Sequence, residues 1–172
     1  LCPPPVVEAL RDRVEHGIFG YPCEPPRLRE VIVDRLQRRY DWKIHPDWIV
    51  WIPNVFAGFH LAAHAVAKPK DGVLITTPIY HPFLLVPKNV DLEGQLVQLD
   101  RTEDDGYSVP FDRFESAITG RTELFILCNP HNPVGRVYRR DELNALAAIC
   151  EKHDMMICSD EIHCGLILDS DK

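Results

Sequence analysis

The sequence predicts an α/β fold with a mainly parallel sheet. Short apolar runs rich in β-branched residues alternate with segments of helical periodicity from residue 46 onwards. The clearest helical pattern spans 139–153, where apolar residues recur on one face after two acidic residues in the first turn. Strands that alternate with helices require crossover connections, which make neighbouring strands parallel. A chain of 172 residues, 45% of them hydrophobic, can bury one core of this kind.

The elements follow in chain order. The predicted strands are 49–52, 73–77, 95–99, 123–128 and 155–159. The predicted helices between them are 55–67, 81–89, 110–119 and 139–153. The first 45 residues differ, because helices at about 4–15 and 26–40 are joined there by the Gly- and Pro-rich connector GIFGYPCEPP. We therefore expect an N-terminal segment, 1–45, that packs beside a major domain, 46–172.

Composition narrows the possible partners. The net charge is −7 and the basic residues are scattered, which argues against nucleic-acid binding as the main function. No apolar run approaches the roughly 18 residues that a membrane span needs. The six cysteines include no C-x-x-C pair, and several lie in apolar runs. This pattern favours reduced thiols in a cytoplasmic protein over a disulfide framework.

Ligands of parallel α/β sheets bind beyond the carboxyl ends of the strands. Four predicted strands end there in PNVFAG, TPIYHPF, CNPHNPVG and SDEIHCG. In PNVFAG a helix begins near Val55, and its free N–H groups suit a phosphate, although many such turns bind nothing. In CNPHNPVG two Asn-Pro steps stiffen the chain, which is consistent with an aimed amide or with a purely structural loop.

Asp160 stands where the apolar run 155–158 ends. A partly buried carboxylate is costly unless it is paired with a cation or well hydrogen-bonded. It is therefore either a capping or salt-bridged acid, or the partner of a ligand cation. No Lys or Arg in the adjacent segment is an obvious partner, which keeps a ligand cation open.

Two histidine patterns raise the question of a metal. His60 and His64 lie four residues apart on a predicted helix, but no third ligand is evident nearby. Cys158, His163 and Cys164 match no standard zinc spacing. We predict no metal site from either pattern.

The motifs GIFGYP, TPIYHPF, CNPHNPVGR and SDEIHCG, in this order, resemble the fold-type-I pyridoxal 5′-phosphate (PLP) enzymes. They look most like the cystathionine β-lyase, or C–S lyase, branch of the class I/II aminotransferase family. The resemblance covers essentially the whole chain and is specific as a set. It implies a three-layer, PLP-dependent transferase-like major domain whose sheet is incomplete at its C-terminal side.

The resemblance also implies roles around the PLP ring. Asp160 matches the aspartate that pairs with the pyridine nitrogen, and Tyr80 matches the aromatic residue stacked on the ring. Asn132 matches the asparagine that binds the ring 3′-oxygen. His163 occupies a position where many relatives carry a tyrosine near that same oxygen.

For the phosphate, the resemblance implies the backbone N–H groups of Val55 and Phe56. Tyr21 matches a tyrosine that reaches the neighbouring subunit's cofactor phosphate in the family dimer. Asn54 stands where relatives usually have glycine, so we expect a left-handed turn that asparagine tolerates.

The family's Schiff-base lysine has no counterpart in this chain. It lies several tens of residues beyond the aspartate in relatives, whereas Lys172 follows a polar stretch with no matching motif. The resemblance thus predicts that residues 46–172 are a partial major domain that lacks its last strands, from a protein about twice as long. Strand 49–52 would then lack both of its sheet neighbours.

The expected activity is β-elimination of cystathionine- or cysteine-type amino acids to a thiol, pyruvate and ammonia, by a cytoplasmic homodimer when full length. An aminotransferase is the alternative, because it shares the cofactor residues. A non-catalytic regulator with the PLP fold is an alternative of another class.

Overall fold

The computed structural model describes residues 1–21, 23–104 and 106–168. It divides the chain into two compact units, with the boundary between Trp51 and Ile52 instead of at the predicted 45/46. The first unit contributes helices, and all the described strands lie in the second. None of the helices in the described ranges is long and apolar enough to cross a membrane.

The first unit contains helices α1, Pro4–His16, and α2, Leu28–Tyr40, followed by a short 3-10 helix, Pro46–Trp48. Both α-helices were predicted, with ends that differ by one or two residues. Helix α1 is capped at its C-terminus by Gly17, whose φ of 69° is a left-handed conformation that favours glycine. Arg29 of α2 connects segments of this unit, because it forms an ion pair with Glu24 at 2.5 Å and donates to the carbonyl of Ile49 at 2.8 Å.

The second unit contains a four-stranded parallel sheet in the order β2-β1-β5-β6. Its strands are β1, Gly72–Thr77; β2, Glu93–Gln98; β5, Thr122–Cys128; and β6, Met156–Asp160. The helices are α3, Val55–Val66; a 3-10 helix, His81–Leu85; α4, Val86–Asn89; α5, Phe111–Ser116; and α6, Arg140–Lys152. The predicted parallel α/β fold is confirmed.

The predicted strand at 49–52 is wrong. These residues belong to no strand, and Val50 is 75% exposed. A strand needs a hydrogen-bonded partner, and β6 ends the sheet without a further described neighbour. A small antiparallel hairpin was missed, formed by β3, Asp100–Arg101, and β4, Tyr107–Ser108.

The sheet is the middle of three layers. Strands β1 and β5 are buried on both faces, as expected for the centre of a parallel sheet. Val73 and Ile75 pack with Phe59 of α3 on one face. Leu74 lies on the other face, in a cluster with Phe114 of α5 and residues of α6. This alternation within β1 follows from the two-residue period of a strand.

A buried ion pair joins the loop after β5 to helix α6. Arg136 donates to the carboxylate of Glu142, and the two side chains are only 15% and 5% exposed. Arg136 also donates to the carbonyl of Tyr107 at 2.5 Å and lies over the ring of Tyr138 at 4.7 Å. Glu142 in turn accepts from the backbone N–H of Arg139 at 2.9 Å. The arginine of the CNPHNPVGR motif therefore connects the hairpin to α6.

Burial determines which thiols can react. None of the six cysteines forms a disulfide, and Cys2 and Cys23 are exposed. Burial raises the pKa of Cys128 and of Cys150 to about 11. We predict that iodoacetamide at pH 8 modifies Cys2 and Cys23 well before Cys128 and Cys150, because the thiolate is the nucleophile. Peptide mass spectrometry over time checks the order, and early labelling of Cys128 under native conditions contradicts it.

Candidate active site

The carboxyl ends of β1, β5 and β6 are joined by hydrogen bonds. The N–H of Asn129, after β5, donates to the carbonyl of Asp160 at 3.0 Å. The side chain of His131 bonds the carbonyl of Pro78, after β1, at 2.8 Å. The N–H of Tyr80 donates to the carbonyl of Asn132 at 2.9 Å. The structure thus gathers the motifs that hold Tyr80, Asn132 and Asp160 at one edge of the sheet.

Asp160 is 8% exposed and lies at the end of β6. Its Oδ1 atom accepts from the N–H of Ile162 at 3.1 Å, which is the local capping interaction that the sequence left open. Within residues 1–21, 23–104 and 106–168, however, no Lys, Arg or His forms an ion pair with it. The carboxylate lines a cavity of about 320 Å³. This combination favours a cationic ligand group beside Asp160.

The same cavity is lined by Val55, the first residue of helix α3. The N–H groups of Val55 and Phe56 lie in the first turn, where the helix itself supplies no acceptor. The positive end of the helix dipole and the carboxylate of Asp160 therefore border one space. A ligand with an anionic group and a cationic ring nitrogen matches that polarity.

The expected left-handed turn at Asn54 is wrong. Asn54 has φ −165° and ψ 166°, an extended conformation that any residue adopts. Its side chain instead caps α3, because Oδ1 accepts from the N–H of Ala57 at 2.8 Å. Asparagine thus satisfies one N–H of the first turn and leaves those of Val55 and Phe56 for a ligand.

Loss of this cap should be measurable. We predict that Asn54→Ala lowers the free energy of unfolding by about 1 kcal/mol, whereas Asn54→Gly costs only a few tenths. Urea unfolding of both variants checks the pair. A glycine variant more stable than the native protein would show that the position is strained instead.

Asn132 and His163 line a second cavity, of about 490 Å³. Tyr80 lines neither cavity; its ring is 47% exposed and makes an edge contact with the ring of Phe83, at 6.0 Å between centroids. The loops that carry the predicted ring-binding residues are therefore joined by backbone hydrogen bonds. They border two spaces, one at Asp160 and one at Asn132.

The remaining predicted residues have other surroundings. Tyr21 lies exposed in the first unit, and its role across a dimer stays a prediction. His60 uses both ring nitrogens, one with the carbonyl of Phe56 at 2.7 Å and one with the amide of Asn89 at 3.0 Å. Among the described residues, no group of three or more His, Cys, Asp or Glu could hold a metal ion.

His131 was missed by the sequence reasoning. Its side chain is 1% exposed, and besides Pro78 it contacts the hydroxyl of Tyr138 at 2.9 Å. Its place between the two Asn-Pro steps of CNPHNPVG was the available signal.

The sequence model of the aminotransferase class I and II family matches residues 2–172. The chain belongs to the aminotransferase class I and II family. Members of this family that are similar to the chain include C–S lyases and aminotransferases. The four-motif resemblance is therefore confirmed at the level of the family.

Three relatives illustrate the match. Cystathionine beta-lyase PatB of Bacillus subtilis is 36% identical, over 97% of this chain and 43% of that protein. Cystalysin of Treponema denticola, whose crystal structure contains PLP, is 32% identical with a TM-score of 0.86, over 98% of this chain and 43% of that one. An aspartate/prephenate aminotransferase of Thermus thermophilus is 30% identical, over 98% of this chain and 44% of that protein. The chain thus spans less than half the length of these aminotransferase-family relatives.

Proposed function

We propose that this class I/II family chain provides the PLP-binding residues of a C–S lyase. One observation carries the proposal. The buried carboxylate of Asp160, with no cationic partner among the described residues, shares a cavity with the N-terminus of α3. PLP carries a protonatable ring nitrogen and a phosphate, so its two charged ends complement the two ends of this space.

The donor set fits the rest of the cofactor. Asn132 has a side-chain amide that can donate to the 3′-oxygen, and His163 lines the second cavity, of about 490 Å³, together with Asn132. Tyr80 presents a half-exposed ring, which suits stacking on a flat heterocycle. When bound, PLP supplies an electron sink for the bond that breaks at the substrate Cα.

The chain's residues would then have separate tasks. Asp160 holds a proton on the ring nitrogen, since its carboxylate is buried and favours a cation beside it. Asn132 and His163 orient the ring through its oxygen, and Tyr80 shields one face from water. The N–H groups of Val55 and Phe56 hold the phosphate through the helix terminus.

Two further parts of the site, the Schiff-base lysine and a residue of a partner subunit, are not among the residues whose tasks are given above. We propose that the Schiff-base lysine, which also moves the Cα proton, comes from a part of the protein beyond the residues assigned here. We further propose a homodimer in which Tyr21 reaches the partner's phosphate site. The chain spans 43% of PatB, which supports a partial major domain, and the second compact unit begins at Ile52.

The lyase is preferred over the transferase because two curated relatives, PatB and the enzyme of Corynebacterium glutamicum, are cystathionine beta-lyases at 36% and 32% identity. Identity alone does not separate the two activities, since the structure of a putative aminotransferase of Clostridium difficile is 39% identical. The substrate would be a β-thio amino acid. In β-elimination the Cα proton leaves, the Cβ–S bond breaks with its electron pair on sulfur, and water then releases pyruvate and ammonia. Cystathionine would give homocysteine, pyruvate and ammonia.

The test uses the protein that contains this chain, with PLP and cystathionine but no keto-acid acceptor. Homocysteine and pyruvate in equal amounts support the lyase. Turnover that strictly requires an added keto acid replaces it with the aminotransferase, for which the Thermus relative is the supporting observation. PLP binding without turnover of any amino acid would favour a regulator.

A further inference from the structure

We propose that His131 is a positioning residue of this site, which holds the loop of Tyr80 in register with the loop of Asn132. The inference rests on the proposed function, because register matters only if both residues bind one ring. The roles proposed for Asp160 and Asn132 do not involve the histidine of CNPHNPVG, and this inference gives that histidine a role of its own.

The geometry of His131 is that of a bridge. One nitrogen, Nε2, lies 2.8 Å from the carbonyl of Pro78, a residue 53 positions away in the chain. The other, Nδ1, lies 2.9 Å from the hydroxyl of Tyr138. The side chain is 1% exposed, so no water competes for either bond.

The direction of both bonds follows from chemistry. A carbonyl can only accept, so Nε2 carries the proton that bonds Pro78. Burial lowers the pKa of His131, and the guanidinium of Arg136 acts in the same direction. In the neutral ring Nδ1 is an acceptor, and the hydroxyl of Tyr138 donates to it. Burial raises the pKa of that phenol to about 12, so it keeps its proton.

The bridge lies next to the two residues of interest. Pro78 precedes Tyr80 by two positions, and His131 directly precedes Asn132. The backbone bond from Tyr80 to Asn132, at 2.9 Å, runs beside the imidazole bridge. Two links therefore join the loops, and the one through His131 also connects to Tyr138. Without the Pro78 bond, the ring of Tyr80 can shift relative to the amide of Asn132.

Two substitutions separate the halves of the bridge. His131→Gln places an amide N–H near the position of Nε2 and retains the Pro78 bond. His131→Asn places its amide near Nδ1, so it retains a partner for Tyr138 and loses Pro78. Both variants lose one buried hydrogen bond, which makes them matched for stability. Tyr138→Phe is a third variant that leaves the Pro78 bond in place.

The readout is the dissociation constant of PLP, measured by its absorbance in the protein that contains this chain, with folding followed by circular dichroism. We expect His131→Asn to weaken PLP binding about tenfold or more, and His131→Gln and Tyr138→Phe by less than about threefold. Equal weakening by the Asn and Gln variants, or none by the Asn variant, overturns the inference.

If His131→Asn does not fold, a second variant without the Pro78 bond is needed. His131→Ala then replaces it, since alanine also removes the Pro78 bond, and Tyr138→Phe is its control. About tenfold weaker PLP binding by His131→Ala with near-native binding by Tyr138→Phe supports the inference, and equal binding by the two overturns it. Native protein that binds no PLP would overturn the proposed function together with this inference. Native binding with the wrong order of variants overturns the inference alone.

Discussion

Asp160→Asn should lower turnover of a β-thio amino acid about a thousand-fold while the protein stays folded. Among the described residues that line the cavity shared with Val55, two carry a charge: Asp160, which is buried, and Glu161, which is exposed. Asparagine at position 160 cannot keep a proton on the PLP ring nitrogen. The electron sink would be weakened at the moment when the Cα–H bond breaks. Steady-state kinetics with cystathionine measure the loss, which should fall on kcat more than on KM.

Glu161→Gln is the matched control. Glu161 is the next carboxylate in the chain, is exposed, and accepts from the hydroxyl of Ser159 at 2.5 Å. Glu161 lines the same cavity as Asp160, but its carboxylate is exposed and screened by solvent. We therefore expect its removal to change turnover less than about threefold. Similar losses of turnover in both variants would mean that the net charge near the site matters. Asp160 would then have no specific role as the partner of the ring nitrogen.

Glu142→Ala should lower the free energy of unfolding by about 3 kcal/mol. The substitution leaves the guanidinium of Arg136 buried without its carboxylate, since that side chain is 15% exposed. It also removes the acceptor for the N–H of Arg139 at the start of α6. Urea unfolding followed by circular dichroism measures the change in midpoint at constant slope.

Asp141→Ala is the comparison for that variant. Asp141 also pairs with an arginine, Arg139, at 3.1 Å, but both side chains are largely exposed. We expect only a small fraction of the midpoint shift seen for Glu142→Ala, because solvent screens an exposed pair. Equal midpoint shifts would mean that the negative charge in the first turn of α6 stabilises the protein, whichever residue carries it. The buried pair of Arg136 and Glu142 would then contribute nothing beyond that charge.

The strand ends were predictable because they depend on local pattern and one general rule. The apolar run at 155–159 lies within a residue of β6, and the carboxyl-end rule then selected Asp160. The start of α3 at Val55 followed from the turn that precedes it. The capping role of Asn54 was missed, because a glycine in relatives says nothing about how asparagine folds in its place.

The strand at 49–52 shows where pattern fails. Apolar, β-branched residues are suited to a strand, but only a hydrogen-bonded neighbour makes one. In the described structure Ile49 bonds Arg29 and not a sheet partner. Strand β3 and strand β4 were missed for the opposite reason, since two residues each are too few for any periodicity.

His131 and Arg136 lie in the same motif, and neither role was visible in it. Their partners, Pro78 and Glu142, lie far from them or on another element: Pro78 follows β1, which pairs with β5, and Glu142 belongs to α6. Sequence spacing identified the motif as rigid and polar. His131, Arg136 and Asn132 all line the cavity of about 490 Å³. Only the contacts with Pro78, Tyr138 and Glu142 showed that His131 and Arg136 also hold the loop in place.

If the proposed function holds, Asp160 keeps the ring nitrogen of PLP protonated. Nitrogen-15 NMR of the protein loaded with ring-labelled PLP tests it directly. We expect the chemical shift of a protonated pyridine in the native protein and of an unprotonated one in Asp160→Asn. An unprotonated nitrogen in the native protein, or a protonated one in both, would contradict it.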